Sequence, residues 1–439
     1  MKKKLLARYP VCNPRRLWRQ DNFILSTFSP GLLSLKNDNE EASEKMRRSV
    51  KTCADAGFNL LELGWASEER GMMAVRMCEQ LGIGVIYQNL LRYGGMGFNH
   101  VFCEKNDLLG TMRDMRCWKS VVGYYLWDEP TSMEQLHTTR KMMDLCQREQ
   151  PETLPFTVAL SSYSPHFSQG YDVFQKYINN FADIIDPPVL SFDYYPVGRE
   201  EHDTVRQLDE SYLWCDLEFV RQAAEARNIP YWFYYQGQNL HDVDFFIFPM
   251  VRLMLNAALL HGVKGLQQYT AWYSVVDAET GGPGIFFEDQ KQIHAELREL
   301  GNTLMALQFR RLIHDDSLLP GDPIMDTLRT PMAESELLTG SLPYRTSVSE
   351  HTDAYGNRYL MVLNRDYLKE ADITLDLKET SRVYAVSRKD GEQYVVADST
   401  DQLQLHLIPG DLALLRIQPA QEEAFTVEYY LDKAHQPEA

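Results

Sequence analysis

Between Asn22 and Gln308 the chain repeats one pattern eight times: a short apolar run, then a stretch whose apolar residues recur every three to four positions. This constrains the fold more than any other feature. A brief continuous apolar run suits a strand buried on both faces, and the longer periodic stretch suits an amphipathic helix laid over it. The spacing predicts strands at Phe23–Thr27, Asn59–Gly64, Gly84–Asn89, Val121–Trp127, Pro155–Ala159, Pro188–Tyr194, Pro230–Tyr235 and Val263–Tyr269. Helical stretches include Glu40–Ala56, with Met46, Val50 and Cys53 on one face, and Leu213–Ala226, with Leu217, Val220 and Ala224. Strands alternating with helices predict βα units on a parallel sheet, and eight rounds over this length predict an α/β protein with a closed (β/α)8 TIM barrel. An open doubly wound sheet is the alternative, but no GxGxxG or GxxxxGK[ST] loop follows any strand.

Beyond about Leu312 the pattern changes to short alternating strands split by turns such as Ala354–Asn357 and Pro409–Gly410. Strands are expected at Tyr359–Leu363, Ile373–Leu375, Val383–Ala385, Leu403–Leu407 and Leu412–Ile417. The expected organisation is a barrel over residues 1–316, a linker over 317–343, a C-terminal antiparallel β-sandwich over 344–419 and a polar tail over 420–439.

Sixty-two acidic residues against 44 basic leave a formal charge of −18, which argues against nucleic acid as a partner. Aromatics make up 11% of the chain, with 24 tyrosines. Flat faces with polar edges suit sugar rings, although a large core also consumes such residues. The seven cysteines form no CxxC, and the eleven histidines fall into no HxH or HExxH spacing, so neither a metal nor another cofactor is expected. The start, MKKKLLARYPVCN, is basic but lacks the apolar run of a signal peptide. Read as written, the chain is expected to be cytoplasmic, or periplasmic or secreted if a signal peptide precedes it. No apolar stretch is long enough to span a membrane.

In a (β/α)8 barrel the chemistry sits at the C-terminal ends of the strands. The fourth strand ends Gly123-Tyr124-Tyr125-Leu126-Trp127-Asp128-Glu129-Pro130. Period-two alternation puts Tyr125, Trp127 and Glu129 on one face and turns Asp128 toward the helices. A carboxyl among aromatic rings holds its proton near neutral pH, as a general acid for glycosidic cleavage must. The plainer alternative makes Glu129 a carboxylate at the start of the next helix.

These residues resemble the retaining clan of (β/α)8 glycoside hydrolases, in which a carboxylate pair ends strand four and the Glu is the acid/base. GYYLWDEP is especially similar to β-galactosidase-like bacterial members. The resemblance extends to Asp193-Tyr194-Tyr195-Pro196 ending strand six, Trp272 after strand eight, the helix Ala295–Leu307 and the closing PGDLALLRI. It implies a carbohydrate-active enzyme with Glu129 as proton donor.

Two departures stand out. The clan's nucleophile is a Glu ending strand seven, but here that strand runs Tyr231-Trp232-Phe233-Tyr234-Tyr235-Gln236-Gly237-Gln238. On strand two, GFNLLELGW resembles the clan's GFNxxR, with Glu62 where many members carry Arg. Losing an anion on strand seven removes the need for that cation, so Glu62 becomes the preferred second carboxylate. Its alternative is a buried structural partner. Asp193 is the other candidate, or else a turn-capping residue; Asp242 and Asp244 are weaker. Trp127, Tyr195, Tyr235 and Trp272 are expected to form the sugar platform, with Gln236 and Gln268 as polar binding groups. The expected function is hydrolysis of an O-glycosidic bond in an oligosaccharide or polysaccharide. The alternative is a glycan-binding pseudoenzyme that has lost its nucleophile.

Overall fold

The protein is described by a computed structural model covering residues 17–28, 40–63, 68–88, 105–162, 171–198, 200–201, 204–205, 208, 210–240, 245–318 and 328–420. Eight parallel strands close into a barrel: β1 (Ile24–Phe28), β2 (Leu60–Leu63), β3 (Gly84–Tyr87), β4 (Val121–Asp128), β5 (Leu154–Ala159), β6 (Leu190–Tyr194), β7 (Tyr231–Gln236) and β8 (Gly265–Tyr269). Each is followed by a helix, from α1 (Glu40–Asp55) through α2 (Glu68–Leu81), α3 (Lys105–Met115), α4 (Met133–Glu149), α5 (Tyr171–Ile185), α6 (Glu210–Glu225) and α7 (Phe248–His261) to α8 (Phe287–Ala306). β1 pairs with β8 through Ile24↔Gly265 to Thr27↔Gln268, which closes the ring. The eightfold reading of the sequence therefore holds, because strands covered by helices outside and side chains inside must be apolar on both faces.

The end of the barrel opposite the strand C-termini is filled. The Trp232 ring lies over Gly265, where an added Cβ would come within 2.7 Å of it. Trp18 meets Trp232 edge-on with centroids 6.3 Å apart, and the Trp232 indole donates to Gln20 Oε1 at 2.9 Å.

The C-terminal part is an antiparallel β-structure of seven strands: β9 (Gln308–His314), β10 (Leu338–Thr339), β11 (Thr346–Thr352), β12 (Arg358–Asn364), β13 (Ala371–Val386), β14 (Gln393–Leu407) and β15 (Leu412–Pro419). β9, expected with the barrel, pairs with β11. β10, expected in the linker, pairs with β13. The runs expected at Ile373–Leu375 and Val383–Ala385 are one strand, whose register shifts between Asp376 and Tyr384. Such irregularities bend a strand, letting one long element serve both layers of a sandwich.

Alternation divides this sheet between two cores. Leu360 and Val362 of β12 face a core of their own with Ile373, Leu375, Leu403 and Leu415. Tyr359, Met361 and Leu363 join the barrel's apolar cluster instead. Helix α7 is buried at every position except Pro249 and Arg252, as expected of a helix covered on both sides. Pro409–Gly410 docks onto it: Arg252 donates to the Pro409 carbonyl at 3.1 Å and Asn256 to that of Gly410 at 2.8 Å. A side chain at position 410 would approach the Pro249 carbonyl to 2.6 Å, so the contact needs glycine.

Candidate active site

A cavity of about 350 Å³ opens at the C-terminal ends of the strands, within the size range of small-molecule sites. Its described lining is Phe28, Tyr125, Asp128, Glu129, Val158, Asp193, Tyr195, Tyr234, Leu240 and Tyr269.

Strand β4 delivers two carboxylates by breaking its own alternation. Tyr125 pairs with Phe156 and Trp127 with Thr157, so β4 carries one extra residue there. This bulge reverses the parity of the residues after it. Tyr125 and Asp128 both face the cavity, and the Tyr125 hydroxyl donates to Asp128 Oδ1 at 2.8 Å. The sequence expectation is thus corrected on two points: Asp128 lines the cavity rather than turning to the helices, and Trp127 is buried outside the described lining. Glu129 next takes a left-handed backbone (φ 50°), which turns its side chain back into the cavity. Such a conformation is uncommon for a non-glycine residue and concentrates at functional sites. Glu129 does not cap the following helix: Ser132 and Gln135 form a complete capping box at the start of α4.

Asp193 follows the expected alternation on β6 and enters the cavity with Tyr195. It shares a side-chain hydrogen bond with Glu129. Burial, the Asp193 charge and the Asp128 charge together push Glu129 up to about 10, so it carries a proton at neutral pH. Burial likewise lifts Asp128 to about 7, opposed by the Tyr125 hydrogen bond and reinforced by Asp193. Tyr125 and Tyr195 are held well above the usual phenol range, by burial first and neighbouring carboxylates second. The cavity therefore holds a protonated carboxyl bonded to a second carboxyl, with phenol donors around them.

Glu62 lies inside the barrel but outside the described lining. Its Oε1 accepts from Ser26 Oγ at 2.7 Å and Gln267 Nε2 at 2.8 Å, and its Oε2 accepts from the Tyr234 hydroxyl. Gln267 Oε1 in turn accepts from Ser191 Oγ at 2.7 Å. This belt ties β1, β2, β6, β7 and β8 beneath the cavity, and burial raises Glu62 to about 8.

The end of β7 explains why it carries amides. Gln236 Oε1 accepts from the Val197 amide at 2.8 Å, while its Nε2 donates to the carbonyls of Val197 at 3.3 Å and Gln238 at 3.2 Å. Holding both polar groups of Val197 needs a donor and an acceptor on one side chain, which a carboxylate cannot supply. Gln268 lies against Gly237, where a Cβ would come within 2.1 Å of its side chain, and it bonds Ser274 Oγ at 3.1 Å. Tyr235 points outward, to Gln268 and to Gln290 of α8. Trp272 is buried beneath the Lys45 ammonium, 5.2 Å from its ring centroid.

Of the expected site residues, the cavity thus gathers Glu129, Asp193 and Tyr195. It leaves Glu62, Trp127, Tyr235, Gln236, Gln268 and Trp272 outside its described lining. Asp242 and Asp244 fall outside the described residues. The aromatic wall is instead Tyr195, Tyr269 and Phe28. Tyr195 stacks on Tyr269 with centroids 4.9 Å apart at 28°, and Tyr269 on Phe28 at 5.7 Å and 24°. Parity was the available signal for Tyr234 and Tyr269, since each lies two residues from another inward position, Trp232 and Gln267, but the sequence does not say which parity faces in. Among the described residues, no group of three His, Cys, Asp or Glu side chains is spaced to hold a metal ion, and no helix is long and apolar enough to cross a membrane.

No family model and no curated protein sequence matches the chain. Solved structures do. A protein assigned as an α-galactosidase from Bacteroides fragilis NCTC 9343 superposes with a TM-score of 0.51 at 10% identity, over 90% of this chain and 79% of that one. One assigned as an α-L-fucosidase from Bacteroides thetaiotaomicron VPI-5482 matches at 12% identity and a TM-score of 0.49, over 62% of this chain and 95% of that one. The GH51 arabinofuranosidase of Xanthomonas axonopodis pv. citri matches at 10% and 0.41, over 90% and 96%. These neighbours are glycoside hydrolases, and the first shares the barrel-and-sheet fold along most of this chain; at such identity the likeness is one of fold.

Proposed function

We propose that the protein hydrolyses an O-glycosidic bond, with Glu129 giving a proton to the leaving oxygen and Asp193 taking one from the attacking water. The observation that carries this reading is the hydrogen-bonded pair Glu129–Asp193 at the barrel mouth, in which Glu129 holds a proton at neutral pH. One carboxyl is armed as acid and its neighbour can serve as base, the division of labour that glycoside cleavage requires. In the free protein the two carboxyls are bonded to each other. A glycoside must therefore part them on entry, and its leaving oxygen takes over the Glu129 proton. Asp193 acting through water would invert the anomeric centre. Glu62, satisfied beneath the cavity, is then a brace for the barrel interior rather than the second carboxylate.

Kinetics on aryl glycosides tests this. Asp193→Asn should lower kcat about 10²–10⁴-fold. Glu129→Gln should do the same for poor leaving groups and much less for dinitrophenolates, which need no proton. An Asp193→Asn protein with full activity would sink the assignment. The glycan-binding reading is favoured by one feature, the commitment of the Gln236 amide to Val197. Tight glycan binding with no turnover on any glycoside would establish it.

A further inference from the structure

We infer that the loop between β8 and α8 carries a second sugar-binding position outside the cavity, with the exposed Tyr273 as its platform, so that the natural ligand is a chain of sugars rather than a single terminal residue. The inference rests on the glycoside reading above. Tyr273 lies four residues beyond Tyr269, the last residue of β8 and part of the cavity's aromatic wall, which keeps the two Cα atoms within about 14 Å. It is 63% exposed, and Ile285, on the returning arm of the same loop, is 76% exposed.

The arms are clamped together: the Gly284 amide donates to the Val275 carbonyl at 2.8 Å and the Phe286 amide to that of Ser274 at 2.9 Å. The turn is held from within by the Val275 amide on the Ala271 carbonyl at 2.9 Å and by Gln268 Nε2 on Ser274 Oγ. Gly284 allows the approach, since a Cβ there would reach 2.4 Å from the Ser274 carbonyl. Beneath lies Trp272, buried and edge-on to Tyr273 with centroids 6.0 Å apart.

Tyr273 also has a left-handed backbone (φ 67°), which a bulky residue rarely adopts and which here turns a large ring toward water. A largely exposed ring on a clamped loop, with a hydroxyl at its edge, suits the C–H face of a neutral sugar. The occupant is the sugar next to the one in the cavity.

The test uses the full chain, p-nitrophenyl monoglycosides and the matching tetrasaccharides. Tyr273→Ala should raise KM for the cleaved tetrasaccharide about tenfold with kcat little changed, while kinetics on the monoglycoside stay within about twofold. Tyr273→Gly, which relaxes the backbone, should lose the same binding and keep or gain thermal stability. The inference is overturned if both substrates suffer alike, if neither does, or if the native protein gains nothing from the longer chain. If no glycoside is cleaved, the hydrolysis reading fails separately. Calorimetric titration with the same tetrasaccharides then decides: a tenfold weaker Kd in Tyr273→Ala supports the platform, and an unchanged Kd or no binding overturns it.

Discussion

Replacing Glu129 with Gln should make the protein more stable while disabling it. The folded chain holds a proton on Glu129, whereas an unfolded glutamate titrates near 4.5 and has released it by neutral pH. Folding at pH 7 therefore takes that proton back against two and a half pH units, at about 1.36 kcal/mol each, or about 3 kcal/mol. Because the folded pKa is the higher one, the native protein loses stability as pH rises above about 4.5 and stops losing it only near the folded value. Gln has the same shape, stays neutral in both states and can still donate to Asp193, so it escapes this slope. Urea denaturation followed by tryptophan fluorescence, at about pH 5, 6, 7 and 8, measures the difference. The gap between variant and native protein should widen by about 1.4 kcal/mol per pH unit, while hydrolysis of poor leaving groups falls about 10²–10⁴-fold. Parallel pH profiles, or a less stable variant, would refute the protonated state of Glu129 and with it the assignment of the acid. A residue whose removal stabilises the fold is one retained for its chemistry.

Other outcomes rest on the same contacts. Gln236→Glu should not create a nucleophile: it removes the donor to the Val197 carbonyl and buries a carboxylate, with an expected loss of about 1–3 kcal/mol in denaturation and no gain in rate. Arg365, almost fully buried, bonds Asp315, Ser317 Oγ at 2.9 Å and Glu210 at 2.8 Å where the sheet meets α6. Arg365→Ala should cost about 3–5 kcal/mol. Burial alone would raise Asp315, but Arg365 and Ser317 outweigh it and hold its carboxyl below 3.8. That stabilisation is present above about pH 3.8 and lost as pH falls, so the penalty of the substitution should shrink in acid. Deleting everything after Ser317 should yield insoluble protein, because Tyr359, Met361, Leu363, Leu412 and Leu414 share one apolar cluster with the barrel. A soluble, folded barrel would contradict that.

The eight strands, their order and most of their boundaries could be read from the chain, because burial on both faces leaves a repeating local signature that no open surface would produce. The position of Glu129 at the mouth could be read from its place at a strand's end. What escaped the sequence was which way side chains point. A one-residue bulge at the end of β4 brought Asp128 inward and sent Trp127 out, and bulges arise from strand pairing that no local pattern encodes. On β7 the sequence offers Tyr234 and Tyr235 side by side, and only closure of the ring selects the first for the cavity and the second for α8. Gln236 reads from the sequence as the replacement of a nucleophile, whereas in the fold its amide is committed to the backbone of Val197, 39 residues earlier in the chain. For Glu62 the sequence leaves open a second catalytic carboxylate or a buried partner, and Ser26, Gln267 and Tyr234, converging on it from three other strands, make it the buried partner. Composition and period determine which segments must be buried and in what kind of element. The partners of each buried polar group come from segments distant in sequence, and only the folded chain decides them.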